Sequence, residues 1–349
     1  MKGKLLAGRK PASLHAQKAA SLPSIKAASV PSTKTASLPS LKAAGLPQLA
    51  DLRRFRHFVV LAETLNFRRA AERLHMAQPP LSVSIQKLES ALGAKLFHRE
   101  ASGVTLTAGG LAALTEVRQL LFHGNQMGEA ARSAMGGTAG TLKMGFVGSA
   151  SYGMLQKLLP LFAAEYPGVE LVLREATSVT IMQQVEERTL DIGLVRVPLL
   201  RPSGASLLAL ERDSFIAALP RTNPLARKRS LSLPDLADEP FVMYLPEQAA
   251  GLHSSAMLAC QQAGFIPRVT QQATQIQTVL ALVESGLGVA LVPSVMKRFA
   301  SERIVYRQLA DAPESASTGL SLAYMADAHS PAATRFMRVA AREYPPPRS

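Results

Sequence analysis

The chain has 349 residues, 47% of them hydrophobic, with 39 Lys/Arg against 25 Asp/Glu and a formal net charge of +14. That length allows two or three domains with cores of their own, and no apolar run approaches the ~18 residues of a membrane span. The single cysteine, Cys260, excludes an internal disulfide and suits a reducing cytoplasm.

Charge is unevenly spread: the excess is +8 over residues 1–48, +4 over 49–109 and +2 over 110–349. Basicity gathered at one end is the electrostatic footprint of a nucleic-acid binder. In residues 1–48, Lys10, Lys18, Lys26, Lys34 and Lys42 recur every eight residues, and Pro23, Pro31, Pro39 and Pro47 keep the same period. Prolines so placed block a continuous helix, and the small polar residues between them bury too little to order a segment. A disordered basic tail is expected. As polyproline II an octad spans ~25 Å, beyond the ~8 Å Debye length, so each lysine acts singly. The tail is a weak non-specific DNA tether at most, and repeat expansion or an upstream start is the plainer account. Leu5-Leu6-Ala7 is too short an apolar core for a secretion signal.

Three amphipathic stretches and a hairpin pattern follow, within 49–107. Leu52, Phe55, Val59 and Ala62 recur at helical steps. Asn66 is placed to cap a second helix, with Ala70, Ala71 and Leu74 inward. His75-Met76-Ala77 makes a turn, and Gln78 precedes Pro79, a residue suited to a helix start. This third helix buries Leu81, Ile85, Leu88 and Leu92. Pro79, Val83, Gln86 and Lys87 face away, with Ser82 on their flank. An outer face that is short-chained and nearly free of acid enters a major groove without repelling phosphate. Segments 96–99 and 104–107 flank a Glu-Ala-Ser-Gly turn, a β-hairpin wing. Arg99 sits where the wing touches phosphate or a minor groove.

Over 108–136 a helix pattern places Leu111, Leu114, Val117, Leu121 and Ala131 on one broad stripe. Gly124 and Gly128 cost about 1 kcal/mol each relative to Ala, so this helix needs a partner, and a second copy of itself is the economical choice. Gly136-Gly137-Thr138-Ala139-Gly140 reads as a hinge.

Beyond it strands alternate with helices, which predicts a parallel α/β architecture. Strands are expected at 142–147, 169–174, 191–196, 214–219, 241–244, 288–292 and 320–324, and helices leading to Tyr166 and over 177–189, 253–263 and 276–285. Ligands in such folds sit outside the carboxyl ends of the strands. Helix starts at Ser149 and Ser151 and at Thr177 and Ser178 offer backbone N–H groups and hydroxyls to an anion. Arg196, ending the third strand, offers a planar fork to a carboxylate. Singly, each is more often a cap or a solvated charge; together at the strand ends of one lobe they favour a small anion. No Gly-X-Ser-X-Gly elbow, His-Glu-X-X-His or paired-cysteine motif is present. Gly286-X-Gly288 follows a helix and enters a strand, the reverse of a dinucleotide loop. Neither an enzyme, a cofactor nor a metal is expected.

Phe58, Asn66-Phe67, Ala70-Ala71-X-X-Leu74, Gln78-Pro79-Pro80-Leu81-Ser82, Ile85, Leu88-Glu89, Leu92-Gly93, Leu96-Phe97-X-Arg99 and Leu106-Thr107-X-X-Gly110 resemble the winged helix-turn-helix of LysR-type transcriptional regulators. The resemblance runs on to the C-terminus. It implies an N-terminal winged helix-turn-helix, a long linker helix that pairs subunits, and a two-lobed effector domain like a periplasmic binding protein. Its lobes would be 140–212 with 316–349, and 213–315. Val83 departs from the family, which often has Arg there; it cannot hydrogen-bond guanine but can pack on a thymine methyl. The run from Phe146 to Gly153, with Arg174-Glu-Ala-Thr-Ser178 and Asp191-Ile-Gly-Leu-Val-Arg196, is most similar to the branch answering to aromatic acids and ring-cleavage products. There the positions matching Ser149, Ser178 and Arg196 contact the co-inducer, and Leu252 falls on an apolar wall. The resemblance thus implies a cytoplasmic homodimer or homotetramer acting on operator DNA under a small organic acid, and it allows RNA polymerase as a further partner. A solute-binding protein would instead carry a secretion signal and no helix-turn-helix. A constitutive DNA binder would depend on the tail.

Overall fold

The computed structural model describes residues 51–100, 103–134, 139–299, 301–313, 317–327 and 330–345. The expected tail, the hairpin tip at 101–102, most of the hinge and the lobe boundary at 316 lie outside them.

Helices α1 (Leu52–Thr64), α2 (Phe67–Arg73) and α3 (Gln78–Leu92) are followed by strands β1 (Phe97–Glu100) and β2 (Gly103–Leu106), an antiparallel pair, and by α4 (Ala108–Ala134). Local chemistry sets the ends. Asn66 accepts from the Arg69 N–H at 3.1 Å, Pro79 stands in the first turn of α3, and Gly93 closes α3 at φ +63°. Phe55, Phe58, Leu61, Ala70, Leu81, Ile85 and Leu88 form one core that Leu96, Phe97 and Val117 complete. Leu52 and Leu92, expected inward, are exposed. They stand at the ends of their helices, past the reach of that core, and Phe58 and Leu61 supply the burial instead. The stripe on α4 is also divided. Ala113, Leu114 and Leu121 pack beside Val117 on the helix-turn-helix core, whereas Leu111, Leu120 and Met127 are exposed.

The first lobe holds β3 (Gly140–Phe146), a 3-10 turn (Gly148–Tyr152), α5 (Met154–Glu165), β4 (Val169–Glu175), α6 (Ser178–Glu186), β5 (Ile192–Val197) and β6 (Ser206–Asp213). The second holds β7 (Phe215–Pro220), β8 (Ser230–Leu231), β9 (Pro240–Tyr244), α7 (Ala250–Gln262), β10 (Arg268–Ala273), α8 (Ile276–Glu284), β11 (Ala290–Pro293) and β12 (Ile304–Leu309). The chain then returns to the first lobe through β13 (Thr318–Tyr324) and α9 (Pro331–Glu343). Strand orders are β4-β3-β5-β13-β6, β11-β7-β12-β8 and β10-β9.

The two larger sheets are mixed, not parallel as the alternation predicts, and only β9 with β10 forms a purely parallel pair among the three. β3 runs parallel to β4 and β5, but β13 is antiparallel to β5 and β6, and β7 is antiparallel to β11 and β12. The chain passes between lobes twice, and β13 re-enters the first sheet from the opposite side. Each lobe has its own core. Helix α6 lies close on the first sheet: a Cβ on Gly193 would fall 2.2 Å from Ile181 Cγ2, and one on Gly145 3.1 Å from Ile181 Cγ1. Only glycine admits that approach. Among the described residues, no helix is long and apolar enough to cross a membrane.

Candidate nucleic-acid interface and effector cleft

On α3, Gln78, Pro79, Val83, Gln86 and Lys87 are exposed on a face without a carboxylate, and Ser82 is half-buried beside it. The acid of this helix, Glu89, turns inward and is buried. Its Oε1 accepts from the backbone N–H groups of Leu96 and Phe97 at 3.0 and 3.3 Å, and its Oε2 faces Lys95 Nζ and Arg99 Nη2 at 3.4 Å each. Glu89 therefore ties the wing to the recognition helix. Arg99 is held at that junction, over the Phe67 ring at 5.1 Å and 3.5 Å from Ser82 Oγ, with its side chain 31% exposed. On the other flank, His57 Nδ1 lies 2.8 Å from Ser84 Oγ. Burial, and then Arg53, hold the imidazole below its ordinary range. Arg53, Arg56, Arg68 and Arg69 are exposed around the unit. Spacing rules did not single them out, because phosphate contacts need charge and no periodicity.

Between the lobes lies a cleft of about 300 Å³, lined in part by Ser149, Thr177, Ser178, Arg196 and Leu252. Ser151 does not line it; its hydroxyl donates to the Gly148 carbonyl at 2.6 Å. The Arg196 fork, expected to be open, is occupied. Its Nε and Nη2 donate to Ser149 Oγ at 3.3 and 2.9 Å, and Nη1 lies 3.4 Å from Asp213 Oδ2. Asp213 Oδ1 accepts from Ser214 N, Ser294 N and Ser294 Oγ at 2.8, 3.0 and 2.6 Å. A buried guanidinium costs several kcal/mol unless an acid neutralises it, and Asp213, at the crossing between lobes, is that acid. Burial pulls the Arg196 pKa down against the opposing pull of Asp213 and Glu211; burial, and then Asp213, raises that of Glu211. Ser178 is likewise committed, its Oγ accepting from the Arg196 backbone N–H at 3.0 Å.

Helix ends and the loop segments 198–203 and 246–248 fill much of the remaining wall. Thr177 caps α6 by accepting from Thr180 N at 3.2 Å. α7 and α8 begin at the cleft with no side-chain cap, through Ala249 to Leu252 and through Thr274, Gln275 and Ile276. A Cβ on Gly251 would fall 2.0 Å from the Pro198 carbonyl oxygen, so the start of α7 lies backbone to backbone on the first lobe. Uncapped helix starts carry no N-cap signature, which is why the sequence offered only those of the first lobe as anion sites.

The profile described as bacterial regulatory helix-turn-helix protein, lysR family, matches residues 52–111, and that of the LysR substrate binding domain matches 135–345. The chain is 34% identical over 289 residues to the HTH-type transcriptional regulator AlsR of Bacillus subtilis (strain 168), covering 83% of this chain and 95% of that protein. It is 33% identical over 290 residues to the HTH-type transcriptional regulator BudR of Raoultella terrigena, covering 83% and 99%. In fold it is similar to full-length CbnR complexed with its target DNA, with a TM-score of 0.64 at 24% identity over 84% of this chain and 99% of that one. Full-length BenM gives 0.53 at 26% identity over 85% and 100%. The chain belongs to the LysR family of DNA-binding transcriptional regulators, with a winged helix-turn-helix, a helical linker and a two-lobed effector-binding module.

Proposed function

We propose that the chain reads an operator through α3 and is controlled by a small organic acid held between the lobes. In this reading residues 49–107 read DNA, 108–136 pair two chains, and 140–349 bind the effector. Gln78 and Val83 face base edges, with Pro79, Gln86 and Lys87 beside them, while Ser82 and Arg99 position the helix on phosphate. The protein works in the cytoplasm as a homodimer or homotetramer, with RNA polymerase as its further partner. Leu120 and Met127, seven residues apart and exposed, suit the pairing seam better than Leu114 and Leu121, which are spent on the chain's own core.

The observation that carries the effector reading is the meeting of three helix starts, those of α6, α7 and α8, at one cleft. Their backbone N–H groups and dipoles favour a negative charge there. An aromatic acid or a muconate-like diacid matches the mix of apolar wall and backbone donors. Calorimetry on the full chain with benzoate and cis,cis-muconate tests it, with Val179→Glu as the control. That change puts a carboxylate in the first turn of α6, where the helix tolerates it and where it competes for the anion site. The acid that binds wild type should lose at least tenfold in affinity to Val179→Glu, with no fall in melting temperature. Equal affinity for both proteins, or no heat with either acid, overturns the assignment.

A further inference from the structure

Three consecutive residues at the end of α6 face two partners. Glu186 borders the cleft and accepts from Ser203 Oγ at 2.6 Å and Gly204 N at 3.1 Å. Glu187 and Arg188 turn to the linker helix. Glu187 Oε2 lies 2.7 Å from Arg118 Nη1 in α4, their side chains 32% and 15% exposed. One turn along α4, the Phe122 ring carries the Arg188 guanidinium 5.3 Å from its centroid. Arg188 is anchored from behind, its Nη2 2.8 and 2.7 Å from the two oxygens of Asp327. Its φ of +56° is a conformation that side chains with a Cβ avoid, so these contacts hold the turn that aims it at α4. Arg118 also reaches back: Nη2 lies 3.8 Å from Glu63 in α1, and Glu63 pairs with Arg73 of α2 at 2.7 Å.

One guanidinium thus spans the lobe that carries the cleft and the unit that reads DNA. An arginine fork can grip two carboxylates at once, and a pair this far buried is screened less than a surface pair. We propose that Arg118 and Glu187, with Phe122 and Arg188 beside them, are positioning residues that fix the DNA-reading unit against the effector module. Helix α6 is the rod between the cleft and this clasp.

The test uses the full chain without DNA or effector, so it stands or falls apart from the cleft assignment. Spin labels go on Glu72→Cys in α2 and Leu207→Cys in β6. Cys260 stays in place, being buried with its thiol pushed up to about 12. Labelled chain is diluted in unlabelled chain, so that electron–electron resonance reads distances within one molecule. The parent protein should give one narrow distribution. Arg118→Gln and Glu187→Gln should each widen it at least twofold, the double variant should be no wider than either, and Arg118→Lys should recover most of the narrowness. Glu187→Gln, at a half-buried helix end, decides the matter should Arg118→Gln lower the melting temperature. Single-variant widths equal to the parent's, widths that add in the double variant, or an Arg118→Lys distribution as wide as that of Arg118→Gln would each overturn the clasp.

Discussion

The wing and the cleft each contain an arginine that the sequence offers to an anion, and in each the chain supplies an acid for it. Arg99 meets Glu89, and Arg196 meets Asp213, both at 3.4 Å. The difference is water. Arg99 is 31% exposed, and Glu89 keeps two backbone donors should the arginine leave. Arg99 can therefore be lent to a phosphate at little cost. The side chains of Arg196 and Asp213 are 4% and 2% exposed, and parting them would strand a charge in the interior. Arg196 belongs to the floor of the cleft.

The sharpest way to break this contrast is Arg196→Met, which should cost about 3–5 kcal/mol, the range for removing one partner of a buried pair. The urea midpoint of the effector module reads it, and adding Asp213→Asn should recover most of the loss. A cost below ~1 kcal/mol, the surface-pair range, would put the two arginines on equal footing. Glu89→Ala comes next. It leaves the Leu96 and Phe97 N–H groups buried without their acceptor, at about 1–3 kcal/mol for such a group. Arg99→Ala should change stability by less than ~1 kcal/mol and weaken DNA binding evenly across operator positions, as a lost phosphate contact does. Gln78→Ala should instead erase preference at a single base pair, by about 1–3 kcal/mol. A footprinting series on one selected duplex separates the two patterns.

The smallest effect is a pH response confined to the DNA-reading unit. Burial holds the folded pKa of His57 below the ordinary 6.5, so the unfolded chain binds the proton more readily. Stability is then lost as pH falls through 6.5. Between pH 7.5 and 5.5, the melting temperature of wild type should fall more than that of His57→Gln. Parallel curves would show that His57 titrates alike in both states.

The helix-turn-helix was legible because each local rule agrees with the packing: Asn66 caps, Pro79 opens, Gly93 closes, and the apolar steps point to one core. The effector module was less so where function and edges break the pattern. β6 ends in Glu211-Arg212-Asp213, which reads as a loop; Asp213 is there to neutralise Arg196. β10, Arg-Val-Thr-Gln-Gln-Ala, is exposed at five of six positions and so lacks alternation. Helix α9 was not among the expected helices, although Ser330 and Pro331 precede Ala332, Ala333, Phe336, Val339 and Ala340 at helical spacing. The occupied forks were beyond reach of sequence, because nothing local reports that Asp213 and Glu89 fold onto the arginines.

Ile181 seats its side chain where Gly145 and Gly193 leave the sheet bare, near the middle of the nine residues of α6. Met182 and Val185 are buried beside it, so α6 is seated on the sheet along most of its length between Ser178 and Glu187. Trading Gly193 for alanine would put a Cβ against Ile181 and push the helix off that seat.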